Sequence, residues 1–191
     1  MAQQKPKELR VGNILAAAID EFSKKGYEGA SMDAIASRAG VSKGGLYYHF
    51  SNKEHLLMEV NNKLNEPVLE MMENAMAGAD PKASLRTYMV EYLRYWISRP
   101  KELGFLFLSM SKSLESPVLS DYYRQSVEGS VAFFVHMIDK VKGDCGSHAE
   151  SEAIAIMGAL DGMVSYAVVH PELQVEDLAE TVIRAVEGLE E

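Results

Sequence analysis

Cysteine is nearly missing from this chain of 191 residues: Cys145 stands alone, so no disulfide can close within it, and a reducing compartment is the simplest setting. Its neighbours (Gly143-Asp144-Cys145-Gly146) would not lower the thiol's pKa toward a reactive thiolate. The opening residues, MAQQKPKELR, lack the apolar run of a secretory signal. Strand signals are scarce too: no stretch sustains apolar–polar alternation, and no Asn-Gly or Asp-Gly turn separates two strand-like runs. Catalytic signatures are absent. Neither Gly-x-Gly-x-x-Gly nor His-Glu-x-x-His occurs, the five histidines are scattered, and His136 with Asp139 is too little for a metal centre. The expectation is a non-enzymatic cytoplasmic protein with no cofactor, no metal and no membrane partner.

Net basic charge is also missing. The formal charge is −9, which argues at first against a nucleic-acid partner. Its distribution argues otherwise. Residues 1–55 carry eight Lys/Arg against six Asp/Glu, a balance of +2, and residues 56–191 carry eleven against twenty-two, a balance of −11. The local field of a binding face matters more than total charge, although ordinary solvated surface produces such asymmetries as well. The longest apolar run, Ala153 to Val169, contains Asp161 and two glycines and is short for a membrane span, so a buried helix is expected.

What is present is helical periodicity. Val11, Ile14, Leu15, Ala18, Ile19 and Phe22 form an apolar stripe that stops at Gly26. Met32, Ile35, Ala36 and Ala39 form a short second helix behind Ser31, halting at Gly40. Ser42 caps a third through Phe50, and Ser51-Asn52-Lys53-Glu54 reads as a capping box opening a fourth helix to about Ala77. Asp80-Pro81 starts a fifth, whose stripe includes Tyr88, Tyr92 and Trp96 and ends at Arg99-Pro100. An apolar helix from Leu103 to Leu114 follows, and Ser116-Pro117 restarts the chain. Ser147-His148-Ala149-Glu150 is a second capping box, opening a helix that ends before Pro171. The last helix carries Val175, Leu178, Val182, Ala185 and Leu189. The class is therefore all-α with about nine helices: a three-helix N-terminal domain over residues 1–52, then a helical bundle over residues 53–191.

Ser31 to Phe50, SMDAIASRAGVSKGGLYYHF, carries the most specific chemistry. Two short helices meet at a tight turn through Gly40, and Ile35, Val41 and Leu46 plug the space between them. This is the spacing of a helix-turn-helix, whose second helix enters the major groove of DNA. Gly44 and Gly45 are poor helix formers, and they make sense if the backbone must approach a phosphate closely. Ser42 and the free N–H groups of the helix start are anion donors, Lys43 adds charge, and the hydroxyls of Tyr47 and Tyr48 can reach phosphate. Lys53 is placed similarly. Tyr47 has an alternative reading as a core residue of the small domain, and His49 reads equally as a structural residue.

The stretch resembles the DNA-binding domain of the tetracycline-repressor (TetR) family over about residues 10–57. The matching residues are Ser31-Met32, Ile35-Ala36, Ala39-Gly40-Val41-Ser42, Leu46-Tyr47-Tyr48-His49-Phe50 and Lys53-Glu54. The resemblance implies phosphate contacts from Ser31, Ser42, Tyr47, His49 and Lys53, and base or groove contacts from Lys43, Gly44 and Tyr48. Glycine at both 44 and 45 is a departure that leaves few side chains to read base edges, so phosphate geometry and DNA shape gain weight.

The resemblance also implies a ligand cavity among the fifth to eighth helices. Its candidate lining is Tyr88, Tyr92, Trp96, Phe105, Met110, Phe134, Met137, Met157 and Asp161, residues that otherwise read as a packed core. Asp161 could meet a ligand, pair across a dimer or face a solvated groove. The eighth helix is apolar on every side, so one face is expected on the core and another on a second copy. Ala155, Gly158, Ala159 and Gly162, with Val182, Ala185 and Leu189 of the last helix, are the candidate homodimer interface. The implied function is a nucleoid-associated repressor, released from a double-stranded, pseudo-palindromic operator by a small, largely apolar or aromatic effector. The alternative is a DNA-bound adaptor that recruits a protein partner and has no such effector.

Overall fold

The computed structural model describes residues 4–143, 148–170 and 172–188. Among them are nine α-helices, one short 3₁₀ turn at Lys112–Leu114, and no strand. The helices are α1 (Gln4–Gly29), α2 (Met32–Arg38), α3 (Lys43–His49), α4 (Lys53–Ala77), α5 (Pro81–Ile97), α6 (Pro100–Ser111), α7 (Pro117–Lys142), α8 (Ala149–Val169) and α9 (Val175–Gly188). Several boundaries follow from local chemistry. Gly26, at φ 69°, breaks α1 before its last turn. Asp80 accepts the Ala83 N–H at 3.0 Å with Pro81 behind it, which starts α5. The start of α4 differs from the expected box by one residue: Asn52 accepts the His55 N–H at 2.7 Å, and the His55 ring accepts the Ser51 N–H at 3.2 Å. The amide of Asn52 takes the cap, and His55 serves where Glu54 was expected to. The expected cap Ser147 lies outside the described residues, as does Cys145.

Packing divides the chain into two compact units. The first comprises residues 1–66 and 101–123, the second 67–100 and 124–191, and α4 and α7 each contribute to both. Phe105 of α6 stacks on Phe22 of α1, ring centroids 5.7 Å apart, so the first unit includes α6. A closed polar triangle inside that unit joins α4, α6 and α7: Asn61 Nδ2 donates to Tyr123 at 2.8 Å, Tyr123 to Ser109 at 2.8 Å, and Ser109 to Asn61 Oδ1 at 3.2 Å. Asn61 and Ser109 are buried, and such groups are tolerated in a core only when satisfied, as they are here.

The second unit is built around α5. Tyr88 lies 4.7 Å from Phe133 and 5.7 Å from Phe134, with Met89, Leu93, Trp96, Met137 and Ile138 buried about them. Helix α9 packs on α5 through Ala179, Val182 and Ile183, all buried, and Arg86 pairs with Glu180 at 2.5 Å. Val182, expected at a dimer interface, is therefore spent on the chain's own core. Helix α8 is four residues longer than its apolar run and, at 21 residues, is long and apolar enough to cross a membrane, contrary to the sequence expectation. One side of it, Ala153, Ile156, Leu160, Val164 and Ala167, is buried within the unit.

Phe105→Ala removes the ring that covers Phe22. Chemical denaturation is expected to show a loss of about 3 kcal/mol or more, the usual cost of emptying an aromatic site; a loss below about 1 kcal/mol would mean the stack is not part of the core.

Candidate functional site

The site begins with two seven-residue helices, too short to persist alone, whose ends are closed locally. Ser31 accepts the Ala34 N–H at 3.2 Å and starts α2; Ser42 accepts the Gly45 N–H at 3.1 Å and starts α3. Between them Gly40 takes φ 67°, its N–H donating to Ser37 at 3.2 Å, while Val41 donates to Ala36 at 3.0 Å. Those two bonds are a Schellman stop, which requires a left-handed residue at Gly40. Ile35 and Leu46 are fully buried beneath the turn, and Val41 is half-buried.

Packing of one face of α3 turns the other outward. Tyr48 is 78% exposed and Tyr47 43%, so Tyr47 is not a core residue. The Lys43 side chain is 64% exposed. Ser31, Ser42 and Gly44 are exposed and His49 is half-buried, its ring edge-on to Tyr48 at 5.1 Å. A Cβ placed on Gly44 would meet nothing within 4 Å, so the fold itself does not require glycine there. At Gly45 a Cβ would stand 3.2 Å from Ser42 Oγ and press on the cap.

Two lysines have partners that sequence reasoning missed. Lys53 Nζ donates to the carbonyls of Tyr27 at 2.7 Å and Ala30 at 3.2 Å and lies 4.3 Å from the centre of the Tyr27 ring. It clasps the end of α1, and its expected phosphate contact would require leaving both carbonyls. Lys43 Nζ lies 2.8 Å from Asp33 in the first turn of α2, and this hydrogen bond raises the lysine's pKa. Ten residues separate that pair, and only the Gly40 turn brings them together.

The candidate pocket residues do not form one group. Tyr88, Tyr92, Trp96, Phe134 and Met137 share the second unit, with Tyr92 at 5.9 Å from Tyr88 and 6.5 Å from Trp96. Phe105 and Met110 belong to the first unit, where Phe105 is stacked and Met110 is 46% exposed. Met157 lines a groove of about 830 Å³ on the outside of α7 and α8, with Val131, Val135 and Ile154. Asp161 is half-buried and accepts the Tyr92 hydroxyl at 2.6 Å. Burial raises its carboxyl pKa, an effect the Tyr92 hydrogen bond partly opposes, and the burial beside it raises those of Tyr88 and Tyr92.

The remaining face of α8 is open. Ala155, Gly158 and Gly162 are exposed, Ala159 is half-buried, and Ile154, Tyr166 and Val169 stand out at 50–69%. A Cβ on Gly158 or Gly162 would meet nothing within 4 Å. Ala185 is exposed on α9, and Leu189 lies outside the described residues.

Residues 14–60 match the family described as bacterial regulatory proteins, tetR family. The HTH-type transcriptional activator FasR of Mycolicibacterium smegmatis is 51% identical over 55 residues, covering 29% of this chain and 25% of that protein. The HTH-type transcriptional regulator RutR of Escherichia coli K12 is 32% identical over 108 residues, 56% of this chain and 50% of its own length. The chain thus spans half or less of the length of these relatives. A TetR-like transcriptional regulator from Rhodococcus sp. RHA1 has the same fold, with a TM-score of 0.74, 24% identity and 93% of each chain covered. A protein of Pseudomonas aeruginosa PAO1 superposes with a TM-score of 0.86 at 19% identity, over 98% of this chain and 93% of its own. The N-terminal segment is thus similar to the tetR-family helix-turn-helix, and the chain shares the fold of these solved structures.

Asp161 supplies a test that needs no partner. Its folded-state pKa is raised, so the folded protein holds that proton more tightly than the unfolded chain does. The carboxyl's stabilising contribution is therefore present below its unfolded pKa and is lost as pH rises through the folded value. Asp161→Asn, which still accepts the Tyr92 hydroxyl, is expected to melt higher than the parent at pH 7, with the gap closing toward pH 4; a gap independent of pH would rule out this account.

Proposed function

We propose that this chain is a dimeric, DNA-binding transcriptional repressor that leaves a pseudo-palindromic operator when a small, largely apolar or aromatic effector binds its second unit. The observation that carries the DNA reading is the outward face of α3. A helix held rigidly by its caps presents Lys43, the bare backbone at Gly44, Tyr47 and Tyr48 together. Those groups suit a phosphate-lined groove: one charge, two hydroxyls, and a glycine where the fold needs none. With Lys53 committed to α1, Ser31, Ser42, Tyr47 and His49 are left as phosphate contacts.

The second copy is supported by the open face of α8. Small residues at 155, 158 and 162 permit close helix approach, and exposed Ile154, Tyr166 and Val169 surround them with apolar surface that a lone chain leaves in water. A two-fold dimer reads half-sites about 34–36 Å apart on a pseudo-palindromic operator. The effector reading is supported by the aromatic group around Tyr88, whose polar anchor is the Tyr92–Asp161 hydrogen bond. An effector that binds more tightly to a form with misplaced recognition helices lowers operator affinity by that same difference. Such a protein works in the cytoplasm.

The test is binding of the purified protein to duplex DNA from beside its own gene, across a salt series. Lys43→Ala and Tyr48→Ala are each expected to weaken binding. Gly44→Ala is expected to raise helix stability, by up to about 1 kcal/mol, while lowering DNA affinity. Specific binding left intact by all three changes would dismiss the α3 interface, and the absence of specific binding to any DNA would dismiss the function. Gly162→Glu, at a position with open space, should yield a folded monomer by analytical ultracentrifugation; a persistent dimer would move the interface elsewhere.

A further inference from the structure

The two glycines of α3 leave its outward face short of side chains able to read bases, and the neighbouring helix supplies one. Asp33 stands in the first turn of α2, its carboxylate oxygens 2.8 and 3.0 Å from Lys43 Nζ in the first turn of α3. Both side chains are nearly two-thirds exposed, at 63% and 64%. An ion pair so open adds little to stability, and α2 and α3 are already held by Ile35, Leu46 and the Gly40 turn. Its position is costly if the surface meets DNA, because a carboxylate there is repelled by every phosphate. The complementary groups that DNA offers a carboxylate are base amino groups in the major groove, of which cytosine N4 is the usual partner for Asp. Lysine finds acceptors in guanine O6 and N7. A G·C pair presents both sets on one edge.

We infer that Asp33 is a specificity-determining residue, which reads a cytosine amino group while Lys43 reads the guanine acceptors of the same or the adjacent base pair. Off DNA the two side chains satisfy each other, so neither is left unpaired and Lys43 is held where the groove will meet it. On the matching base pair each exchanges its partner for a complementary base edge. On a mismatched pair Asp33 loses Lys43 to the DNA and gains no donor, and that imbalance is the discrimination. The role depends on the DNA-binding reading above but assigns a residue of α2 that this reading does not use.

The experiment is selection of duplexes from a random pool by the full-length protein, its Asp33→Asn variant and its Lys43→Ala variant, followed by titration of the selected duplex. The wild type is expected to enrich a symmetric site with one G·C pair per half-site that both variants leave degenerate. Asp33→Asn is expected to bind the wild-type site about tenfold or more weakly, within the range of one specific base contact. Its discrimination against a duplex changed only at that pair should largely vanish. A wild-type consensus unchanged in Asp33→Asn overturns the assignment, as do a general tightening on all duplexes and relaxation at a position unrelated to the one Lys43→Ala relaxes. Failure of the wild type to enrich any sequence would instead overturn the regulator reading, and this assignment with it. Circular dichroism melts of both variants, expected to match the parent, separate these outcomes from unfolding.

Discussion

Everything at the candidate interface depends on one left-handed residue. Helices of seven residues do not survive in water by themselves, and their orphan N–H and C=O groups must be met close by. Gly40 allows the chain to reverse within two residues, so that the last carbonyls of α2 find donors in Gly40 and Val41. That reversal places Ser42 to cap α3, brings Lys43 beside Asp33 and sets Leu46 over Ile35. A side chain with a Cβ at residue 40 would strain the turn on which all of these contacts rest.

Features written in short segments were legible in the sequence. The Ser31 and Ser42 caps, the stop at Gly26 and the Asp80-Pro81 start each need only a few neighbouring residues, and all are present. The helix-turn-helix is legible for the same reason. What the sequence hid was decided by partners far along the chain. Phe105 carries no mark that distinguishes a ring bound for Phe22 from one bound for Tyr88, because both are apolar residues at helical spacing. Val182 and Ala185 lie on one periodic seam, yet α9 turns the first into the core and leaves the second in water. Lys53 matched a phosphate-binding pattern, but the carbonyls it caps lie twenty-three and twenty-six residues earlier.

Two buried polar sites are supported in opposite ways. In the first, Asn61, Ser109 and Tyr123 close a ring of neutral hydrogen bonds that asks nothing of solvent or ligand. In the second, Asp161 is a carboxylate among aromatic rings with one hydroxyl for support. A closed neutral ring favours a single arrangement of α4, α6 and α7, whereas an under-supported charge is a place where a changed environment alters energy.

The clasp of Lys53 on α1 has a mechanical consequence. Lys53 is the first residue of α4, and its ammonium grips the carbonyls of Tyr27 and Ala30 on either side of the α1 terminus. Arg38 of α2 is in turn tied to Asp20 and Glu21 of α1. A push on the beginning of α4 is therefore not absorbed as bending where it meets the loop. It would pass to α1 through the Lys53 clasp and on to α2 through Arg38. Were the proposed α3 face to lie in a DNA groove, stiffness of that kind would turn a small rotation into the simultaneous loss of every contact rather than the slackening of one.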